Sequence, residues 1–286
     1  MKSQKKRLKK MYIIIPVLLA IVLWIAWANK ALELNTITVT SEKLPKAFDG
    51  YRIAHVSDLH NTDGFGKDNK KLIETLKKGD PHIIAITGDM LDSRRPGYEH
   101  NLNFAKEAVK IAPCYFVPGN HESKSSEYKE FKAKLKKIGV TVIEDSTLEL
   151  TYNQEIITLH GICDPLFKTA ALTGDSVSVT QKRLELRTKQ KGDYNVLLSH
   201  RPELFDLYVE SGMDLVLSGH AHGGQFRIPF IGGILAPNQG LFPKYDSGLY
   251  TKNNTNMVVS RGIGRSVIPF RINNNPEIII VELKTK

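Results

Sequence analysis

Ile53-Ala54-His55-Val56-Ser57-Asp58-Leu59-His60 is the stretch on which the reading of this 286-residue chain turns. It is an apolar run that ends in a carboxylate and an imidazole two residues apart. In an extended chain, residues i and i+2 point to the same side. Asp58 and His60 are therefore expected to leave one strand end together, aimed at one point, while Val56 and Leu59 pack into the interior.

Four further stretches repeat this grammar of an apolar run and then a tight turn carrying metal-type side chains. They are Thr87-Gly88-Asp89, Pro118-Gly119-Asn120-His121-Glu122, Leu198-Ser199-His200 and Ser218-Gly219-His220-Ala221-His222. Glycine permits tight turns and close backbone approach. In open α/β sheets, sites form beyond the carboxyl ends of the strands. Five strand ends converging there would bring together Asp58, His60, Asp89, Asn120, His200, His220 and His222. This set mixes oxygen and imidazole donors without sulfur, which suits Mn, Fe or Zn rather than a thiolate site. Seven ligands exceed the needs of one tetrahedral ion and suit two ions if one carboxylate bridges them. Each piece alone is weak. His-x-His is more often chance or a packed pair, Gly-Asp is usually a turn, and a lone His200 reads equally as a helix cap or a core residue. Their joint occurrence, in order and each after an apolar run, carries the argument.

The surrounding pattern places these turns. Tyr51–Ser57, His82–Thr87 and Cys114–Val117 read as strands. They alternate with amphipathic helices over 70–78, 103–111 and 127–138, and such alternation argues a parallel sheet. Short strands follow at 141–144, 148–152 and 155–159, then a helix over 181–189. Further strands are expected at 195–199, 214–218, 257–260 and 278–282. The Gly- and Pro-rich segment 228–250 reads as a loop. His55 is expected to pack on its strand, His82 and His100 to lie at the surface, and His160 to be structural. Asp92 reads equally as a solvated acid or a residue supporting Asp89. Cys114 is expected in the core, and two cysteines, Cys114 and Cys163, are too few for a disulfide scaffold.

The N-terminus reads as a membrane address. Lys2, Lys5, Lys6, Arg7, Lys9 and Lys10 precede Met11 to Ala28, which carries no charge. About 17–25 apolar residues span a bilayer, and positive flanks stay inside. Tyr12, Trp24 and Trp27 lie near the two ends, where aromatic rings favour the interface. The expected order is a cytoplasmic basic segment (1–10), a transmembrane anchor (11–28), a tether with an edge strand at Ile37–Thr40 (29–46), and one catalytic domain (47–286) outside the cytoplasm. Ala26-Trp27-Ala28 also fits a cleaved signal peptide, and a buried core helix is the third reading. The net charge is +10. Much of it is this basic block, and no basic stripe interleaved with aromatics is visible, so a nucleic-acid partner is not expected.

The five turns, in this order, resemble the signature of calcineurin-like metallophosphoesterases: Asp58-Leu59-His60, Gly88-Asp89, Gly119-Asn120-His121-Glu122, His200 and Gly219-His220-Ala221-His222. The run onward through Gly223-Gly224-Gln225, with the N-terminal membrane segment, looks most like the family's bacterial membrane-associated branch. The resemblance implies an α/β (α+β) fold in four layers, two mixed β-sheets flanked by helices, from Tyr51 to the C-terminus. It implies that Asp58, His60, Asp89 and His222 hold one divalent ion. Asp89, Asn120, His200 and His220 would hold a second, with Asp89 bridging, and His121 would be a catalytic histidine that is not a ligand. Relatives often carry two consecutive acids where this chain has Cys163-Asp164.

The implied activity is hydrolysis of a phosphate ester. Phosphate esters resist attack because the anion repels hydroxide and alkoxide leaves poorly. Two cations about 3.5–4 Å apart offset that charge and supply a metal-bridging hydroxide near neutral pH. His121 would protonate the leaving oxygen and Asn120 would help orient the phosphate. The anchor favours a phosphodiester of lipid or envelope origin, with Ile228–Leu249 as an apolar lip. A phosphomonoesterase, a membrane-tethered metal-binding scaffold without turnover and a nuclease are the alternatives.

Overall fold

The computed structural model describes residues 2–265, 268 and 270–286; the side chains of residues 2–9, 13, 21 and 67 lie outside that description, and with them most of the basic block. Helix α1 (Lys2–Ala28) leads into strand β1 (Glu33–Ser41). Then come β2 (Arg52–Val56), α2 (Lys70–Lys78), β3 (Ile83–Ile86), α3 (Glu99–Ala108), β4 (Cys114–Phe116), α4 (Asn120–Lys124), α5 (Tyr128–Ile138) and β5 (Thr141–Val142). The second half holds β6 (Ser146–Tyr152), β7 (Glu155–Gly161), α6 (Ser176–Thr188), β8 (Asn195–Leu198), α7 (Phe205–Glu210) and β9 (Leu215–Ser218). Two small hairpins follow, β10 (Arg227–Ile228) with β11 (Gly232–Gly233) and β12 (Leu235–Ala236) with β13 (Gly240–Leu241). The chain closes with β14 (Gly248–Lys252), β15 (Thr255–Val259) and β16 (Glu277–Thr285).

The strands form two six-stranded sheets, ordered β1-β16-β2-β3-β4-β5 and β14-β15-β9-β8-β7-β6. Strands β2, β3, β4 and β5 pair in parallel, as the βα alternation implies, and both sheets are mixed, as the resemblance implies. The C-terminal strand β16 enters the first sheet antiparallel to β2 and parallel to β1. In the second, β14 and β6 are antiparallel edges around a parallel centre.

Side-chain alternation explains the layering. On β2 and β3, Ile53, Ile83 and Ala85 face the other sheet, joining Ile157, Leu159, Val196, Leu198, Leu215 and Leu217. Their neighbours Ala54, Val56, Ile84 and Ile86 face outward onto Leu72, Leu76, Phe104 and Phe131 of α2, α3 and α5. On the far side, Leu197, Val216 and Met257 pack under Leu184, Phe205 and Tyr208 of α6 and α7. Central strands covered on both faces read as continuous apolar runs, which is why 83–86 shows no alternation.

Several boundaries differ from expectation for local reasons. Helix α6 begins at Ser176, five residues before the expected start. Its Ser-Val-Ser-Val-Thr opening has poor helix propensity, but Asp175 caps it by accepting a hydrogen bond from Ser178 N at 2.8 Å. Helix α7 is too short for its apolar pattern to mark it in the sequence. Segment 228–250 is not a plain loop but carries the two hairpins and the start of β14. His82 is not free at the surface: its ring stacks on Tyr51 at 4.6 Å and accepts the Arg52 N–H at 3.0 Å. His160 is buried between Thr147 and Asn195, as expected of a structural residue. Both cysteines are free and buried.

Within α1, Lys10–Ala28 is long and apolar enough to cross a membrane, with mean hydropathy 2.5, and almost none of it is buried in the protein. The helix end is fastened to the domain. The Asn29 side chain donates to Arg271 O at 2.9 Å and accepts from Arg271 N at 2.8 Å, and Lys71 Nζ donates to Lys30 O at 2.9 Å.

Candidate metal centre

Strands β2, β3 and β4 of one sheet and β8 and β9 of the other all end at the same edge of the sandwich. Their following turns carry all seven predicted ligands inward, and all seven are buried. The means is not the one expected for Asp58 and His60. Strand β2 stops at Val56, and Asp58 and His60 both lie beyond it with φ of 53° and 47°. Left-handed turns, not strand alternation, aim them at one point. Asp89, His220 and His222 share this conformation, with φ of 50°, 67° and 48°. Non-glycine residues rarely adopt it, and each costs on the order of 1–3 kcal/mol. The fold holds this strain where the side chains must converge. Gly119 and Gly219 are required by crowding: a Cβ on the first would collide with Asp89 Oδ1, and on the second with Ser57 Oγ and Asp58 Oδ2.

The donors fall into two groups with a link between them. Asp58, His60 and His222 offer ligand atoms within 4.8 Å of one another, and so do Asp89, His200 and His220. His60 and Asp89 form a third such group with His121. His222 Nε2 is 3.4 Å from Asp58 Oδ1, His60 Nε2 is 3.9 Å from Asp89 Oδ2, and His200 Nε2 is 3.2 Å from the same Asp89 oxygen. Asp89 thus faces both groups.

Bonds outside the cluster fix which nitrogen looks in. His200 Nδ1 donates to Thr87 O at 2.7 Å, so Nε2 faces Asp89. His220 Nε2 donates to Asn238 Oδ1 at 2.9 Å, so Nδ1 faces the cluster. Asn120 Oδ1 is buried without a hydrogen-bond partner. An orphaned buried acceptor beside two carboxylates and four imidazoles fits divalent cations and has no other evident use. Burial disfavours imidazolium and holds His60 down at about 3, and it puts His220 and His222 well below the usual range. These rings are neutral, the form that binds metal. His200 differs. Burial lowers it, but the Asp89 charge and hydrogen bond outweigh that and push it up to about 10. Asp89 in turn lies well below the usual carboxylate range, since His200, His60 and His121 outweigh its burial. Burial and the Asp89 charge raise Asp58 to about 6.

A supporting layer surrounds the cluster; of it the sequence offered Asp92 as one of two readings, and gave Glu122 no role. Glu122 ties two of the turns together: its Oε2 accepts from Asp89 N at 2.8 Å and Gly119 N at 2.7 Å, and its Oε1 from Leu91 N at 2.7 Å. Burial and Asp89 push it up to about 7, against three N–H donors that favour the ionised form. Asp92 is not a solvated acid. It accepts from Arg94 and Arg95, and its Oδ1 lies 3.4 Å from His121 Nδ1. His121 Nδ1 accepts the Ser93 N–H at 3.0 Å, which leaves the neutral ring's proton on Nε2, 3.9 Å from Asp89 Oδ2. Burial lowers the His121 pKa, but Asp92 and Asp89 outweigh it and the net shift is upward. Asp164 pairs with Arg201, at 2.6 and 3.1 Å, and so braces the turn that carries His200; the neighbouring Cys163 leaves this contact intact. His100, expected at the plain surface, lines a hollow beside His60. Of these residues Glu122 lies two after the predicted ligand Asn120 and Asp92 three after Asp89; nothing local to Asn238 marked it.

The family model for calcineurin-like phosphoesterases matches residues 51–224, which span all five turns. The chain belongs to the calcineurin-like phosphoesterase family. Among relatives of this phosphoesterase, the uncharacterized metallophosphoesterase YkuE of Bacillus subtilis (strain 168) is 30% identical over 262 residues, covering 89% of this chain and 86% of that one. A transmembrane protein with metallophosphoesterase domain from Danio rerio is 27% identical over 260 residues, 87% of this chain and 56% of the relative. The solved structure of TT1561 from Thermus thermophilus superposes with TM-score 0.50 at 13% identity, over 74% of this chain and 90% of that one, a likeness of fold. Family and His/Asp cluster together support a metal-dependent phosphoester hydrolase.

Proposed function

We propose that this phosphoesterase uses two divalent ions (Mn, Fe or Zn) to hydrolyse a phosphate ester of lipid or envelope origin, diesters in preference to monoesters. The observation that carries this reading is Asp89, which faces two separate sets of buried donors while His121 stands beside it. Asp58, His60 and His222 would hold one ion, Asn120, His200 and His220 the other, and Asp89 both. When bound, such ions offset phosphoryl charge and lower the pKa of water.

The chain's own groups do the rest. Asn120 is neutral and sits at the head of α4, where its amide can orient a phosphoryl oxygen. His121 presents Nε2–H toward the same space; the Ser93 N–H, donated to Nδ1, holds the ring in that direction, and the Asp92 carboxylate beside Nδ1 favours the protonated ring. The Asp92 and Asp89 carboxylates outweigh burial and shift the His121 pKa upward, which favours a proton on the ring for the departing oxygen. The α1 span supports a single-pass membrane protein, and the basic block before it supports a catalytic domain on the extracytoplasmic side. Phe230 is fully exposed and Ile231 more than half exposed at the tip of the β10–β11 hairpin, and Leu241 and Phe242 are more than half exposed at the end of the β12–β13 hairpin, which reaches His220 through Asn238. Exposed apolar tips on a tethered domain support contact with a membrane.

The test is hydrolysis of an aryl phosphodiester and the matching monoester by the full chain in detergent, stripped of metal and refilled with Mn²⁺, Fe²⁺ or Zn²⁺. Metal-dependent release from the diester is expected. Release from the monoester alone would make it a phosphatase. No release with metal bound would favour a tethered scaffold.

A further inference from the structure

The metal cluster opens sideways. A polar hollow of about 190 Å³ beside His60 is lined by Asn61, Thr62, Arg95, His100 and Arg265, with Asp63 as the acid on its wall. Beyond it a crevice of about 390 Å³ lies between the end of α1 and the domain, walled by Val22, Ile25, Ala26, Phe65, Ile263 and Phe270. The two share Thr62 and Arg265, so they adjoin, and together they reach from the apolar helix to His60.

We propose that this trough is the substrate-binding site for a long-chain amphiphilic phosphoester, with its hydrocarbon chain between α1 and the Phe65–Phe270 wall and its anionic oxygens on Arg95 and Arg265. The proposal rests on the phosphoesterase reading above and names its substrate class. Three observations carry it. First, the two ends differ in polarity: the crevice holds the apolar side chains, with Asn29, Lys30 and Arg271 at the helix end, Arg265 is common to both hollows, and the hollow that reaches His60 adds Arg95. A lipid phosphoester presents chain, anion and scissile bond in that same order, whereas a soluble ester has no use for the apolar end. Second, the trough has a fixed shape. Asn29 pairs with both backbone groups of Arg271, and the buried Arg271 guanidinium donates to Gly264 O at 2.7 Å, so the helix end is held against the wall. Third, the apolar end is formed by the segment that is apolar enough to lie in a bilayer. A lipid can therefore enter sideways without its chain crossing water. Because the chain passes from one apolar medium to another, the crevice selects by position and shape, not by net hydrophobic gain.

The charge is matched as well. Arg95 is braced by Asp92 at 2.7 Å, which fixes the guanidinium between the hollow and the His121 support. Ala26 is the small residue on the helix side of the crevice, so a larger side chain there would fill the path of the chain.

The experiment compares hexadecyl and methyl p-nitrophenyl phosphate, which share the reacting group and differ only in chain. The full chain is used in nanodiscs, loaded with Mn²⁺. The hexadecyl ester should have the higher kcat/KM by about 10-fold or more, a difference of 1.4 kcal/mol per factor of ten. Ala26→Trp should bring that ratio close to one, and Arg265→Gln should raise KM for both esters. A second readout needs no turnover. Hexadecyl phosphate with a terminal diazirine is photo-crosslinked to the metal-free protein and mapped by mass spectrometry. Label is expected on Phe65 or Phe270, which lie outside the membrane span, and should be lost in Ala26→Trp. Equal kcat/KM for the two esters in the unmodified protein would overturn the proposal. So would labelling confined to Phe230 and Phe242, or a preference for a soluble diphosphate over either ester. If neither ester is cleaved but Phe65 or Phe270 is labelled in the unmodified protein and not in Ala26→Trp, the trough stands and the phosphoesterase reading falls.

Discussion

His220 turns one ring nitrogen to the cluster and gives the other to Asn238, whose Oδ1 accepts from Nε2 at 2.9 Å. Asn238 sits with φ of 60° at the tip of the β12–β13 hairpin, which also carries the exposed Leu241. The apolar hairpin region is thus tied directly to a candidate ligand. Groups that orient ligand rings are worth about 10–100-fold in metal affinity. Asn238→Ala is expected to weaken metal binding by that order in a chelator competition, and Asn238→Asp to retain it. Equal affinity in all three proteins would mean that the hairpin does not orient His220.

Asp89 and His121 separate binding from turnover. Asp89→Ala removes the carboxylate that faces both donor groups, and metal content and hydrolysis should disappear together. His121→Ala should keep its metal by elemental analysis and lose about 10²–10⁴ in kcat, the usual worth of a proton-transfer group. Full hydrolytic activity in Asp89→Ala would sink the proposed mechanism.

Glu122 offers a test of the scaffold. Glu122→Gln replaces an acceptor oxygen by an NH₂ that faces backbone N–H groups of Asp89 and Gly119 or Leu91. An unsatisfied buried donor costs about 1–3 kcal/mol. Chemical denaturation of the metal-free protein should show a loss of that size, with a further loss of metal affinity as the two turns drift apart.

The pH dependence follows from His200. Its pKa in the metal-free fold is raised from 6.5 to about 10 by Asp89. A raised folded pKa means that the pair stabilises the metal-free protein fully below about 6.5, and that this stability is lost as pH rises toward 10. A metal ion must displace that proton. Metal affinity should therefore rise with pH across this window, with proton release visible by calorimetry in buffers of different ionisation enthalpy. An affinity independent of pH between about 6.5 and 9 would contradict the His200–Asp89 pair.

The exposed hairpin tips give a further outcome. Replacing Phe230 and Phe242 by Ser should lower activity on a vesicle-borne ester and leave folding intact, because neither side chain is buried. If hydrolysis of a soluble ester falls equally, the tips serve the site and not the membrane.

The sequence by itself determined the metal-type side chains, their order, and the apolar runs that precede them. Apolar strands 83–86, 195–198 and 215–218 are legible because burial on both faces demands uninterrupted apolar residues, and helix 70–78 because its apolar stripe repeats with the helical period. The N-terminal span is legible because a bilayer asks only for length and lack of charge. Only the tertiary structure decided how the ligands meet. Asp58, His60, Asp89, His220 and His222 converge through left-handed backbone that no local pattern announces, since the strain is tolerated only when surrounding contacts impose it. Asn238 reaches His220, Asp92 turns toward His121 and Arg265 joins the helix crevice to the hollow by folding distant segments together. The antiparallel insertion of β16 beside β2 was equally invisible, because strand direction is set by neighbours and not by the strand's own residues.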